Sequence, residues 1–170
     1  MYHFGLKPKV TLGIPGGTAR IGKILALIES CRYSIHDLSR VELDETEPIT
    51  PRFNMPFELG LAVGVERLRP GTHTWFVFET VARRADKSLS DLKGSDHYIH
   101  EGTVEGVMRE LCNAFARRGQ NPSVPKMLEA FRAVEEQLPA LLAEAGTADC
   151  FTARVFEDLC FAAKFAVDNP

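Results

Sequence analysis

The chain alternates between stretches in which apolar residues recur at helical spacing and short, mostly apolar runs of strand-forming residues. Helical spacing occurs in residues 18–32, 54–68 and 104–115. The strand-like runs are YSIHDLS (33–39), HTWFVFET (73–80) and HYIH (97–100). HTWFVFET is almost continuously apolar, as expected for a strand that is covered on both faces. This order of elements predicts an α/β domain with a mostly parallel sheet.

The helix predicted for residues 54–68 carries an acid near its start. Its apolar stripe consists of Phe57, Leu61, Val65 and Leu68. Glu58 is expected in the first turn, where a carboxylate gains roughly 0.3–1 kcal/mol from the helix macrodipole. Alternatively, a carboxylate beside Phe57 and Leu59 lies in a partly apolar pocket. Such a group is suited to stabilising or attacking an oxocarbenium-like sugar cation.

The C-terminal third reads as a separate pair of helices. After the linker GQNPSVP (119–125), helical patterns cover residues 126–145 and 152–167. Pro139 is expected to kink or split the first of them. The second is apolar on more than one side, which predicts a fully buried helix and a homo-oligomer contact. The predicted domains are 1–118, a Rossmann-like nucleotide-binding or glycosidase-like domain, and 119–170, a helical hairpin.

Composition and charge exclude several functional classes. The 170 residues are 45% hydrophobic and 25% charged, with a net charge of −3, so neither nucleic acid nor an anionic membrane is an expected partner. The four cysteines are far apart and no metal-ligand cluster is visible, so we expect reduced thiols, no metal and no cofactor. No apolar run approaches the roughly 20 residues of a membrane span, and the N-terminus lacks the apolar core of a signal peptide. The expected location is the cytoplasm.

Ligands of an open parallel sheet bind beyond the carboxyl ends of its strands. This rule selects two groups of residues. The first lies at the end of the strand at 33–39 and comprises His36, Asp37, Ser39 and Arg40. The second lies in the loop into the next helix and comprises Arg52, Phe53, Asn54 and Met55, with Glu58 beyond them.

Each of these residues also has a structural explanation. Asp37 can cap the turn that follows its strand, and His36 can be a hydrogen-bonded histidine of the sheet. Arg40 and Arg52 bracket an acidic loop and can pair with its carboxylates, or one of them can hold a phosphate through a bidentate contact.

Two stretches resemble a known family. IGKILALIESCRYSIHDLS and, after a loop, NMPFELGLAVG resemble the middle of the nucleoside 2-deoxyribosyltransferases and their TIR-like relatives. In those proteins a strand ends in Asp and a later helix opens with a catalytic Glu followed by Leu-Gly. Asp37 and Glu58-Leu59-Gly60 match these positions, within a resemblance that covers roughly residues 18–80. The stretch also resembles, more closely, a group of uncharacterised bacterial proteins of the same expected fold.

The resemblance implies a Rossmann-like (flavodoxin/TIR-like) three-layer sandwich and a nucleoside, nucleotide or NAD-like ligand. Glu58 would attack or stabilise the anomeric carbon of an N-glycosidic substrate, and Asp37 would orient the sugar or base. The remaining candidates would hold the rest of the ligand. The alternative function is a nucleotide-sensing or interaction module without turnover, which oligomerises through the C-terminal helices.

The chain departs from this family in two places. The run KVTLGI (9–14) can supply at most one strand before the first helix, whereas the relatives begin with a strand, a helix and a second strand. An acidic insertion also separates Arg40 from Arg52. Both differences fall where a ligand pocket would be lined.

Overall fold

A computed structural model describes residues 1–12, 18–40, 47–116 and 122–169, which form two compact units. The sheet unit is Gly16–Ala114, and the helical unit combines Met1–Pro15 with Phe115–Pro170. The sequence had placed the N-terminus with the sheet and the boundary after residue 118. The N-terminus instead joins the helices because the rings of Phe4 and Phe115 pack with their centroids 5.3 Å apart.

The sheet unit is built from a parallel three-stranded sheet and its helices. In chain order its elements are α1 (Thr18–Ser30), β1 (Tyr33–Asp37), α2 (Asn54–Leu68), β2 (Thr74–Glu79), α3 (Arg84–Ser88), β3 (His97–Ile99) and α4 (Val104–Ala114). The strands lie in the order β1-β2-β3, and Asp37 is level with Phe78 of β2, which is level with Tyr98 of β3. The predicted α/β, Rossmann-like arrangement with a parallel sheet is confirmed.

The core of the sheet unit lies between α2 and one face of the sheet. Leu38, Leu59, Val77 and Ala85 form it, and Met55, Val63, Trp75, Leu89 and Leu92 pack against it. Of the predicted apolar stripe of α2, Val65 is buried, but Phe57 is 52% exposed and Leu68 is 84% exposed, so the stripe is wrong at both ends. The buried face combines Val65 with Leu59 and Ala62. Because α2 is apolar almost all round, its spacing alone does not select the face that packs on the sheet.

Several predicted connections differ in the structure or lie outside it. Residues 82–96, a polar stretch between two strand-like runs, contain α3 and a 3-10 turn at Ser90–Leu92. Residues 9–12, the described part of the possible N-terminal strand, form no strand. Residues 13–17, 41–46 and 117–121 lie outside the described residues, and with them most of the acidic insertion and part of the predicted linker.

The helical unit contains a 3-10 turn at Tyr2–Phe4 and two packed helices, α5 (Val124–Ala145) and α6 (Ala153–Asp168). Side-chain hydroxyls cap both helices, since Ser123 accepts a hydrogen bond from the N–H of Lys126 and Thr152 accepts one from Val155. The predicted helical hairpin is confirmed. Pro139 does not split α5, which continues through it as one helix.

The last helix is less buried than its sequence predicts. Only Val155 and Ala162 of α6 are buried, whereas Phe161 is 75% exposed and Phe165 is 59% exposed. The prediction of a fully buried helix is therefore wrong for the single chain, and oligomerisation through α6 stays a prediction. Among the described helices, none combines the length and apolar character needed to cross a membrane.

Candidate functional site

Three polar side chains meet where β1 and β3 end. Asp37 is the last residue of β1, and its Oδ1 accepts hydrogen bonds from the backbone N–H of Ser39 (2.9 Å) and from the Ser39 hydroxyl (2.5 Å). His100, the residue after β3, brings its Nε2 to 3.0 Å from Ser39 Oγ and 3.5 Å from Asp37 Oδ1. The parallel order of the strands thus places residues 61 positions apart in one cluster.

The hydrogen bonds of this cluster form a chain of donors that leads from Gly102 to Asp37. The backbone N–H of Gly102 donates to His100 Nδ1 at 3.2 Å, so that nitrogen carries no proton. The proton of a neutral ring is then on Nε2, which donates to Ser39 Oγ, and the Ser39 hydroxyl donates to Asp37. His100 is therefore a donor here and not a base positioned to activate Ser39, which distinguishes the cluster from a Ser-His-Asp triad.

A strained turn holds His100 in this role. Glu101 and Gly102 both have left-handed backbone conformations, with φ of 58° and 71°. Such a conformation is unfavourable for a residue with a side chain, by about 1–3 kcal/mol, and persists only where the surroundings impose it. The turn directs the Gly102 N–H back to the imidazole and leads into α4.

The first turn of α4 lies directly against the backbone of His100. A Cβ at Gly106 would lie 2.0 Å from the carbonyl oxygen of His100, too close for any side chain. Thr103 caps the helix, since its Oγ1 accepts a hydrogen bond from the Gly106 N–H. Gly106 is therefore required for the position of His100.

Gly106→Ala is expected to lower the free energy of unfolding by about 1–3 kcal/mol, because the helix and the His100 backbone must move apart. Gly64→Ala is the matched control, since nothing lies within 4 Å of a Cβ at Gly64 in α2. That control should be neutral or stabilising by about 1 kcal/mol. Urea unfolding of both variants measures the difference, and equal stabilities would contradict the close approach.

A buried ion pair at the end of β2 supports the same carboxyl edge of the sheet. Glu79, the last residue of β2, is fully buried, and Arg84 binds both of its carboxylate oxygens. Arg84 Nη2 also donates to the carbonyl of Ser39 at 2.8 Å and to that of Leu38 at 3.4 Å. The turn after β1 is thus held by β2 through Arg84 and by β3 through His100.

His36 does not belong to this cluster. Its side chain is buried on the opposite face of β1, where Nε2 lies 2.8 Å from Ser34 Oγ, and Ser34 in turn lies 2.8 Å from Nε2 of His73. Burial, together with the nearby His73, lowers the pKa of His36 to about 4. Its Nδ1 is buried without a hydrogen-bond partner among the described residues. The geometry supports the structural explanation for His36 and not ligand contact.

The other predicted binding residues have different surroundings. Arg40, Arg52, Phe53 and Asn54 are exposed at the surface of the sheet unit. Met55 packs against the core around Leu59 and is a packing residue of α2. Of the residues predicted to bind a ligand, Ser39 is joined to Asp37 through hydrogen bonds of its N–H and its hydroxyl.

Glu58 lies in the second turn of α2, not in the first. The helix begins at Asn54, so the first turn contains no acidic residue and the prediction of a first-turn acid is wrong. The macrodipole acts within the first turn and does not account for Glu58. Burial raises the pKa of the half-buried Glu58 carboxyl above its ordinary value, and the charge of Arg20 opposes the increase.

The Asp37 side chain points away from α2, the helix to which Glu58 belongs. Leu38 lies in the core beneath α2, and side chains alternate along a strand, so Asp37 points to the face opposite α2. Asp37 is directed to its cluster with Ser39 and His100, of which Glu58 is not a member.

None of the candidate residues selected from the sequence lies in the strand-like run HYIH (97–100), which contains His97 and His100. In the structure His97 lies apart from the cluster, with Nδ1 3.8 Å from Asp86 Oδ1. Within the described ranges, no three His, Cys, Asp or Glu side chains are placed to hold a metal ion. Applying the rule of carboxyl ends to all three strands, instead of to β1 alone, would have selected Glu79 and His100 together with Asp37.

Comparisons of the chain with protein-family models, with curated proteins and with solved structures find no match in any of the three. The resemblance to the deoxyribosyltransferase and TIR-like proteins therefore stays a prediction that depends on Asp37 and on Glu58-Leu59-Gly60.

Proposed function

We propose that the carboxyl edge of the sheet binds a nucleoside or nucleotide and that Asp37 accepts hydrogen bonds from its sugar. The observation that carries this proposal is the unequal use of the two Asp37 oxygens. All of its hydrogen bonds with described residues fall on Oδ1, and its side chain is 52% exposed. Oδ2 is thus left as an acceptor on a half-exposed side chain whose other oxygen is already held by Ser39.

Hydroxyl groups are suitable ligands for such an oxygen. A carboxylate oxygen accepts about two hydrogen bonds, and the backbone and hydroxyl of Ser39 already occupy Oδ1. An anionic group beside Oδ2 would be repelled, so a phosphate belongs elsewhere on the ligand. Sugar recognition by a strand-end acid is the arrangement that the family resemblance also implies.

Glu58 is the group that would act on the N-glycosidic bond. Its carboxylate attacks the anomeric carbon, the C–N bond breaks, and the electron pair passes to the base nitrogen, which takes a proton from solvent. Water then hydrolyses the glycosyl ester and restores the carboxylate. Partial desolvation of Glu58 makes this carboxylate more basic and hence a better nucleophile.

One observation favours the alternative, binding without turnover. Asp37 points to the face opposite α2, whereas Glu58 belongs to α2, so a sugar held by Asp37 is not thereby presented to Glu58. In that case the same site recognises the ligand and releases no base.

Both functions can be tested on the purified chain with adenosine, 2′-deoxyadenosine, AMP and NAD. Binding is expected to raise Tm by mass action, and chromatography shows whether free base is released. Asp37→Asn keeps an oxygen for Ser39 but presents an amide in place of Oδ2, and should weaken binding at least about tenfold. Asp96→Asn, at an exposed loop position, is the matched control. Absence of binding across the panel, or equal binding by Asp37→Asn, would contradict the proposal.

A further inference from the structure

His100 is fixed at both ring nitrogens. The Gly102 N–H can only donate, so His100 Nδ1 must accept, and Nε2 must carry the proton that is given to Ser39 Oγ. Turning the ring over would place carbon atoms at both positions and lose both hydrogen bonds. The backbone of the β3–α4 turn therefore determines which tautomer faces Asp37.

This tautomer decides how Asp37 is used. Ser39 Oγ has one proton, and since its hydroxyl already accepts from His100, that proton is directed to Asp37 Oδ1. A hydrogen-bonded chain thus runs from Gly102 through His100 and Ser39 to one oxygen of the carboxylate. Without the donor at His100, the Ser39 hydroxyl could rotate away, and the backbone N–H of Ser39 would be the remaining donor of that residue to the carboxylate.

We propose that His100 is a positioning residue, which holds Ser39 against Asp37 Oδ1 and so leaves Oδ2 as the oxygen offered to a ligand. The inference rests on the proposed function for the identity of that ligand, a sugar hydroxyl. The positioning itself is a property of the protein alone. His100 lies behind Ser39 and has only 6% of its side chain exposed, so it acts through Ser39 and Asp37.

The first test is independent of any ligand. Long-range ¹H–¹⁵N NMR of the ¹³C,¹⁵N-labelled full chain is expected to show the His100 ring protonated at Nε2 and unprotonated at Nδ1. Ser39→Ala should shift the Nε2 signal of His100 and the carboxyl ¹³C signal of Asp37. A ring protonated at Nδ1, or an Asp37 signal unchanged by Ser39→Ala, overturns the proposal whether or not the chain binds a nucleoside.

The second test uses adenosine as the probe and a rescue. His100→Phe keeps a ring but no donor and should weaken adenosine binding about tenfold, the value of one hydrogen bond of about 1.4 kcal/mol. His100→Gln restores an N–H near the position of Nε2 and should bind within about threefold of the wild type. His97→Phe is the matched control, since it removes a neighbouring histidine that pairs with Asp86 instead. If His100→Phe and His100→Gln lose the same amount of adenosine affinity, the role of His100 is packing alone and the proposal is overturned.

A double-mutant cycle completes the test. Because His100 acts through Ser39, the double variant Ser39→Ala, His100→Phe should bind adenosine no more than about twofold worse than the weaker single variant. Additive losses would show that the two residues act separately. If the wild-type chain binds no adenosine at all, the proposed function fails, and the NMR test still decides whether His100 positions Asp37.

Discussion

Arg84→Met is expected to lower the free energy of unfolding by about 3–5 kcal/mol, because it leaves the carboxylate of Glu79 buried without its counter-ion. Glu79 is fully buried at the end of the central strand, and Arg84 is the cation that binds both of its oxygens. Such a loss is a large fraction of the 5–15 kcal/mol that stabilises a typical domain. Urea unfolding followed by circular dichroism measures it.

Two further variants keep this prediction testable if Arg84→Met fails to fold. Glu79→Gln combined with Arg84→Met removes the orphan charge and should recover most of the stability. Arg109→Met is the matched control, since Arg109 pairs with Glu101 and Glu110 at the surface and its loss should lower the free energy of unfolding far less than Arg84→Met. A double variant no more stable than Arg84→Met would show that the ion pair is not the cause.

The ion pair of Arg84 that stabilises the fold also holds the backbone next to Asp37. Arg84 holds the carbonyls of Leu38 and Ser39, and these residues directly follow Asp37. His100 holds the Ser39 hydroxyl from the other side. Ser39 is therefore fixed through its backbone by β2 and through its side chain by β3, which makes the geometry around Asp37 a property of all three strands.

Local sequence patterns predicted the elements well because their causes are local. The apolar run HTWFVFET contains β2, and the bounds of α2 agree with the prediction, since the loop before Asn54 and the break after Leu68 are visible in the sequence. The packed face of α2 could not be predicted in the same way. Its two glycines, its alanine and its aliphatic residues surround the axis, so only the sheet determines that Leu59 is buried.

The polar cluster could be predicted only in part because its contacts are distant in sequence. Asp37 and Ser39 were found from the end of a single strand, but their partners His100 and Arg84 lie 61 and 45 residues after Ser39. Finding them requires the strand order, which brings the three carboxyl ends together. The start of α2 at Asn54 was predicted correctly, but Glu58 is the fifth residue of the helix and a turn holds about 3.6 residues, so Glu58 lies beyond the first turn.

If the chain cleaves an N-glycosidic bond, Glu58→Gln is expected to lower the rate of base release by about 10²–10⁴-fold. The reason is that the amide cannot act as a nucleophile. Glu66→Gln, on the same helix and away from the Glu-Leu-Gly sequence, should leave turnover unchanged. Adenosine binding should persist in both variants, since Asp37 and not Glu58 accepts the sugar. Chromatographic assay of base release from the nucleoside panel distinguishes the variants, and full activity of Glu58→Gln would exclude Glu58 as the nucleophile.

The same variant has a consequence for stability that holds whether or not the chain is an enzyme. Burial raises the pKa of Glu58 in the folded chain above the value of about 4.3 expected in the unfolded chain. Between these two values the folded state binds more protons, so the contribution of Glu58 to stability falls as the pH rises and is least favourable above the folded pKa. Glu58→Gln should therefore have a higher Tm than the wild type at neutral pH and the same Tm below about pH 4. A lower Tm at neutral pH would mean that the ionised carboxylate is stabilised in the folded chain, and that it lacks the raised basicity on which its proposed reactivity depends.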